Sequence, residues 1–191
     1  MCHNTAMAVP LAQEVVVKER SPKQMKKLII IWISMLSTST FSQTTIEGVL
    51  NKYNDKSVPY IHVETLKKSA KQALVLDARE PEEFEVSHLK NAQQMGFKEV
   101  NSSGLVTLMS DSLVGRDQLI VVYCSIGVRS EIIGKKLMSN GFTNVYNLYG
   151  GIFEWVNKGG DIYKKGEPTQ KVHAYSKKWG RYLTKGIKVY E

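Results

Sequence analysis

The sequence predicts an α/β protein in which a mostly parallel central sheet is flanked by helices. Residues 119–123 and 73–76 are continuous apolar runs, too short for helices and suited to strands buried on both faces. Each is followed by a stretch with helical character. Strand-like and helix-like segments alternate along the chain, the pattern of a layered α/β fold.

Taken in order, residues 45–53 read as a short helix, because Ile46, Val49, Leu50 and Tyr53 recur at helical spacing. Residues 54–59 are turn-rich. Residues 60–63 read as a strand, with His62 at a surface edge, and lead into a helix over 65–69 with Leu66 inward. The strand over 73–76 ends in Asp77-Ala78-Arg79-Glu80. Pro81 fits the first turn of a helix running to Val86, and Glu82 and Glu83 suit its positive end. His88 reads as a capping or packing residue. The histidines and carboxylates here lack metal-ligand spacing, so no metal is expected.

Residues 92–95 make another short strand, and a short helix is expected within the irregular stretch 97–114. After the strand over 119–123, residues 130–139 read as a helix with Ile132, Ile133 and Leu137 on one side and Lys135 and Lys136 outside. Residues 141–148 read as a turn and a strand. Gly150 and Gly151 open the last helix of the alternation, with Trp155 in the core.

The loop between the 119–123 strand and the 130–139 helix draws the functional reading. It begins at Cys124, contains Gly127 and closes at Arg129. In an open α/β sheet, chemistry gathers at the carboxyl ends of the strands. Loop amides turned inward form an anion nest, and the helix presents its positive N-terminus to the sulfur. Arg129 adds a full charge. All three effects favour thiolate over thiol. A lone cysteine is more often a small buried hydrophobe. This order of strand, cysteine, glycine, arginine and helix reads instead as a nucleophile.

Cys124-x-x-Gly127-x-Arg129-Ser130 resembles the active-site loop of the rhodanese (sulfurtransferase) family. Asp77-x-Arg79-Glu80-x-x-Glu83-Phe84-x-x-Ser87-His88-Leu89-x-Asn91-Ala92 resembles a second motif of that family. The turn at Phe142, the strand after it and Gly150-Gly151-x-x-x-Trp155 resemble the closing one. Together the motifs cover residues 58–163. Family members often carry glycine where this chain has Ser87 and Asn91, so both positions are expected in tight turns, and asparagine tolerates positive φ.

The resemblance implies a rhodanese-like three-layer fold and a sulfurtransferase without a cofactor. Cys124 would accept a sulfane sulfur from a small donor such as thiosulfate, forming a persulfide. Cyanide, a small thiol or a protein cysteine would then remove it. Backbone amides of Ser125, Ile126, Gly127, Val128, Arg129 and Ser130 would cradle the sulfur, and Arg129 would hold the loop or the anionic donor. Asp77 and Arg79 are supporting residues, read as a hydrogen-bonded pair tying the strand to neighbouring backbone, with orientation of the loop as the alternative. Tyr149 is placed at the pocket mouth.

Four residues separate Cys124 from Arg129, where cysteine-dependent phosphatases place five. The smaller cradle suits a sulfur atom better than a phosphate. The rival readings are a phosphatase or arsenate reductase on the same fold, and a non-enzymatic sulfur-carrier or partner-binding module.

The 191 residues, 42% of them apolar, hold one well-packed domain plus extensions. Two cysteines, Cys2 and Cys124, give no disulfide framework. The net charge of +8 is spread out and partly an end effect, so no nucleic-acid partner is expected. Met25-Lys26-Lys27, a short apolar run over 28–36 and small residues beyond it form the three parts of a secretory signal peptide. The run is too short to span a bilayer comfortably.

The organisation expected is therefore an upstream extension over 1–24, a signal peptide over 25–42 cleaved before Gln43, the catalytic domain over 43–163 and a basic extension over 164–191. The mature protein would be periplasmic or secreted, without a stable membrane span, and would keep Cys124 as its single thiol. A cytoplasmic protein is the alternative. Tyr175, Trp179, Tyr182 and Ile187 give the extension enough apolar surface to fold back on the domain or to dock a partner.

Overall fold

The computed structural model describes residues 45–98 and 114–190. The expected signal peptide, its upstream extension and residues 99–113 of the connecting segment lie outside the described residues. All described residues belong to the unit Phe41–Glu191.

The elements are, in order, α1 (Ile46–Tyr53), β1 (Tyr60–Ile61), α2 (Val63–Ser69), β2 (Leu74–Asp77), α3 (Pro81–Val86) and β3 (Gln93–Gln94). After the undescribed residues come β4 (Ile120–Tyr123), α4 (Arg129–Ser139), β5 (Val145–Leu148) and α5 (Gly151–Asn157). The extension adds β6 (Ile162–Lys164), β7 (Glu167–Thr169), β8 (Lys171–His173), α6 (Lys177–Gly180) and β9 (Ile187–Val189).

The main sheet has the order β1-β5-β4-β2-β3, with every pairing parallel. β4 lies at its centre, and all of its side chains are buried. Successive side chains of a strand point to opposite faces. Ile120 and Val122 join the core with Ile133 and Leu137 of α4. Val121 and Tyr123 join the opposite core with Leu66 of α2 and Ile152 and Phe153 of α5. Both faces of β4 need apolar residues, which is why the run is continuous rather than alternating. Each aliphatic side chain fully buried there stabilises the fold by about 1.5–3 kcal/mol. Among the described residues, no helix is long and apolar enough to cross a membrane.

Two local expectations are corrected. β1 stops at Ile61, because His62 is the N-cap of α2 and its carbonyl accepts from the Thr65 and Leu66 amides. Helix initiation there ends the strand before His62 can join it. Ser87 has φ −174°, extended backbone rather than a tight turn, and its carbonyl accepts from buried Arg79. Asn91 does take a positive φ, 58°.

The extension folds back on the domain. The boundary read after Tyr163 falls inside β6, which pairs with β7 through a turn at Lys165 and Gly166. Both turn residues have positive φ, the geometry of a two-residue hairpin loop. Val172, Ala174 and Leu183 are fully buried in the same core as α2 and α5. Asn157 fastens the end of the extension, accepting from the Thr184 and Lys185 amides and donating to the Tyr182 carbonyl. Ile187 stays half exposed.

Candidate active site

Cys124 follows β4 directly, and its side chain lies on the α4 side of the sheet. The loop after it turns at Gly127, whose φ is +107°, and runs into α4 at Arg129. The Gly127 amide donates to Cys124 Sγ at 3.1 Å, and the Ser130 hydroxyl reaches the sulfur at 3.6 Å. Burial by itself would push the Cys124 thiol up. The Arg129 charge, the amide and hydroxyl of Ser130 and the amide of Gly127 outweigh it and bring the thiol below its ordinary value.

The loop is held from three sides. Beneath it, Asn54 and Asn147 each donate to the Gly127 carbonyl at 2.9 Å. Asn147 also donates to Glu131 and accepts from the Ser130 hydroxyl at 2.8 Å. From α5, the Ile152 and Phe153 amides donate to the carbonyls of Cys124 and Ser125. A Cβ on Gly151 would lie 2.3 Å from the Cys124 carbonyl oxygen, so only glycine fits where this helix meets the loop.

The third side is Glu83 of α3. Its carboxylate accepts from both terminal nitrogens of Arg129, at 2.6 and 2.8 Å, and from the Ser125 hydroxyl at 3.0 Å. It also accepts from the Glu80 amide as part of a capping box. Burial would raise the Glu83 pKa, but Arg129 holds it below the usual carboxylate value. His173 of β8 stands 3.9 Å from the same carboxylate.

Of the expected site residues, Cys124, Ser125, Ile126, Val128 and Arg129 line one cavity of about 190 Å³. Gly127 and Ser130 contact the sulfur from behind. Asp77 and Arg79 do not line the cavity. They form a fully buried ion pair in which Arg79 also donates to the Ser87 carbonyl at 2.6 Å and lies over the Tyr123 ring. Tyr149 is not at the mouth, because its ring packs against Tyr60 and His62 instead. The rim is made by Tyr53, Tyr175 and Trp179.

Sequence reasoning gave no role to Glu131, Asn54 or Asn147 and placed Glu83 only at a helix end. A polar Asn147 inside the apolar strand Val145–Leu148 is a signal that a buried partner exists. Among the described residues, no three His, Cys, Asp or Glu side chains gather to hold a metal ion.

The rhodanese-like domain family model matches residues 62–158, half of the chain. The chain belongs to the rhodanese-like family. The tRNA uridine(34) hydroxylase of Hamiltonella defensa is 37% identical over 87 residues, 44% of this chain and 23% of the relative. That of Yersinia pestis is 35% identical over 88 residues, 44% and 24% respectively. The chain thus spans about a quarter of the length of these curated relatives. The thiosulfate sulfurtransferase of Pseudomonas aeruginosa has a TM-score of 0.51 at 20% identity, covering 74% of this chain and 26% of that one. That likeness is one of fold. The rhodanese-like match includes the whole loop from Cys124 to Ser130 but neither α1 nor the extension.

Proposed function

We propose that this rhodanese-like protein is a sulfurtransferase working through a Cys124 persulfide. The Cys124 thiolate attacks the outer sulfur of a donor such as thiosulfate. A new S–S bond forms on Cys124, the donor's S–S bond breaks, and its electron pair leaves with sulfite. Cyanide or a thiolate then attacks the outer sulfur of the persulfide and returns Cys124 as thiolate. The Gly127 amide and the Ser130 donors face the Cys124 sulfur, which carries the negative charge in the thiolate form; in the persulfide the charge moves to the outer sulfur.

The observation that carries this reading is a buried thiol with a lowered pKa, held at 3.1 Å by a loop amide, on the wall of a cavity. Arg129 supports sulfur over phosphate, because both of its terminal nitrogens are committed to Glu83 rather than offered to two phosphoryl oxygens. The tRNA uridine(34) hydroxylases match this chain over 87 and 88 residues, about a quarter of their own length, and the proposal takes no substrate from them.

Intact mass spectrometry before and after thiosulfate tests the reading, with Cys124→Ala beside it. The expected result is a gain of one sulfur atom, reversed by cyanide and absent in the variant. No gain from thiosulfate or from a persulfide donor, together with phosphatase turnover, would replace it with the phosphatase reading. Export is proposed on residues 25–42 alone. Protein from whole cells with a mass beginning at Gln43 would support it, and an unprocessed mass would remove it.

A further inference from the structure

The cavity over Cys124 has walls from two sources. Its floor, Cys124, Ser125 and Ile126, lies inside the stretch matched by the family, residues 62–158. Its rim does not. Tyr53 ends α1, and Tyr175 and Trp179 belong to the extension, so all three rings come from outside that stretch. Tyr53 and Trp179 meet at 6.0 Å between ring centroids. Tyr175 lies over the Arg129 guanidinium at 5.3 Å. Rings from both ends of the domain close around the nucleophile.

Tyr175 is held there against its own backbone preference. Its φ is +63°, uncommon for a bulky residue, and its side chain remains half exposed, so burial does not account for the position. The neighbouring Ala174 is fully buried and the Ser176 amide bonds back to its carbonyl, which fixes the turn that lifts the Tyr175 ring to the rim.

The charge of the cavity points the same way. Arg129 is its cation, and Glu83 neutralises it in a two-bond pair. With Arg129 already paired, charge alone does little to distinguish one anionic donor from another. A flat apolar group gains contact with three aromatic side chains. A cavity of about 190 Å³ is also of the right size, since roughly 150 Å³ suffices for a benzene ring.

We infer that Tyr53, Tyr175 and Trp179 form an aromatic collar that selects a small organic sulfur carrier bearing an aromatic or similarly flat apolar group. This inference rests on the sulfurtransferase reading and names its substrate class. In the donor half-reaction with an aryl thiosulfonate, the Cys124 thiolate attacks the outer sulfur. The Cys124 S–S bond forms, the donor S–S bond breaks, and the electron pair leaves with the aryl sulfinate. The collar holds the aryl group through stacking contacts.

The first experiment compares benzenethiosulfonate with methanethiosulfonate as donors, using full-length protein and free cysteine as the uncatalysed reference. The protein's kcat/KM ratio for the two donors should exceed the ratio of rate constants with free cysteine by about tenfold, the scale on which an apolar pocket discriminates. Trp179→Leu and Tyr175→Asn should bring it back toward the free-thiol value, and Trp179→Phe should retain it. Asparagine accepts the positive φ, so the Tyr175 variant does not add backbone strain. A wild-type ratio equal to that of free cysteine would overturn the collar.

The second experiment needs no transfer. Benzenesulfinate should slow alkylation of Cys124 by iodoacetamide about tenfold more effectively than methanesulfinate at equal concentration, and Trp179→Leu should abolish the difference. Equal protection by the two sulfinates overturns the collar. Selective protection with no sulfur gained from any donor keeps the collar and removes the sulfurtransferase reading.

Discussion

Glu83 and Arg129 are 46 residues apart in sequence, yet the carboxylate of one accepts from both terminal nitrogens of the other at 2.6 and 2.8 Å. This pair ties α3 to the first residue of α4, and so sets the loop that holds Cys124. It also divides the work of Arg129. The hydrogen bonds go to Glu83 and Ser125, while the charge still acts on the thiol.

Arg129→Met should therefore raise the pKa of Cys124. Among the influences that lower it, Arg129 is the largest, and its loss leaves the buried Glu83 carboxylate nearby without its two-bond partner. The rate of alkylation on the peptide containing Cys124, followed against pH, should shift its midpoint upward. The thiol of the wild-type protein ionises below the unfolded thiol, whose pKa is about 8.5. Its contribution to stability is thus full above that pH and is lost as pH falls through the folded value. Arg129→Met should flatten this part of the stability profile. An unchanged midpoint would show that the loop amides set the thiol without the arginine.

The strand, the cysteine loop and the following helix were legible because they are local. A continuous apolar run, a glycine with positive φ and a helix carrying Ile133 and Leu137 inward are all written within 21 residues, Leu119 to Ser139. Glu83 was legible only as a residue suited to a helix start. Its burial depends on Arg129 and Ser125 arriving from across the fold, which no local pattern encodes. The same holds for the rim. Tyr175 and Trp179 were seen as apolar material for folding back, but only the assembled fold places them with Tyr53 beside the cysteine. The rim position read for Tyr149 failed because its ring finds Tyr60 and His62 closer at hand.

Two glycines next to the loop should respond differently to alanine. Gly127→Ala places a side chain at φ +107° and 3.1 Å from a Leu50 methyl carbon, which can give way. The backbone strain should cost about 1–3 kcal/mol. Gly151→Ala also has positive φ, but its Cβ meets the Cys124 carbonyl oxygen at 2.3 Å, and backbone cannot move aside without displacing Cys124. Its cost should be at the upper end of overpacking, about 3 kcal/mol or more. Urea denaturation should rank Gly151→Ala as the more damaging, and equal midpoints would contradict the rigid contact.

Asp77 and Arg79 form a pair with no exposure at either side chain. Removing one partner leaves a buried charge. Asp77→Leu should cost about 3–5 kcal/mol, and the double variant Asp77→Leu, Arg79→Met should recover much of it, as replacement of buried pairs by apolar residues does elsewhere. Because neither residue lines the cavity, the refolded double variant should keep the alkylation midpoint of Cys124. A shifted midpoint would give the pair a part in orienting the loop.

Asn147 joins the sheet to the loop around Cys124. Fully buried in β5, it donates to the Gly127 carbonyl and to Glu131, and accepts from the Ser130 hydroxyl. That hydroxyl is 3.6 Å from Cys124 Sγ, and the Gly127 amide is the donor at 3.1 Å. The Gly127 peptide and the Ser130 side chain, both beside the sulfur, are therefore held by one amide side chain. Asn147→Leu is close in volume and removes every one of these bonds at once. Each buried group left unsatisfied costs about 1–3 kcal/mol, although Asn54 still serves the Gly127 carbonyl. The variant should be destabilised by about 3 kcal/mol on that basis, and its Cys124 should ionise at higher pH than wild type. Asn147→Asp keeps the shape and the acceptor for Ser130 but sets a carboxylate against Glu131 and the Gly127 carbonyl. It should raise the Cys124 midpoint further. An alkylation profile identical to wild type in both variants would show that the loop holds its donors on the sulfur without support from β5.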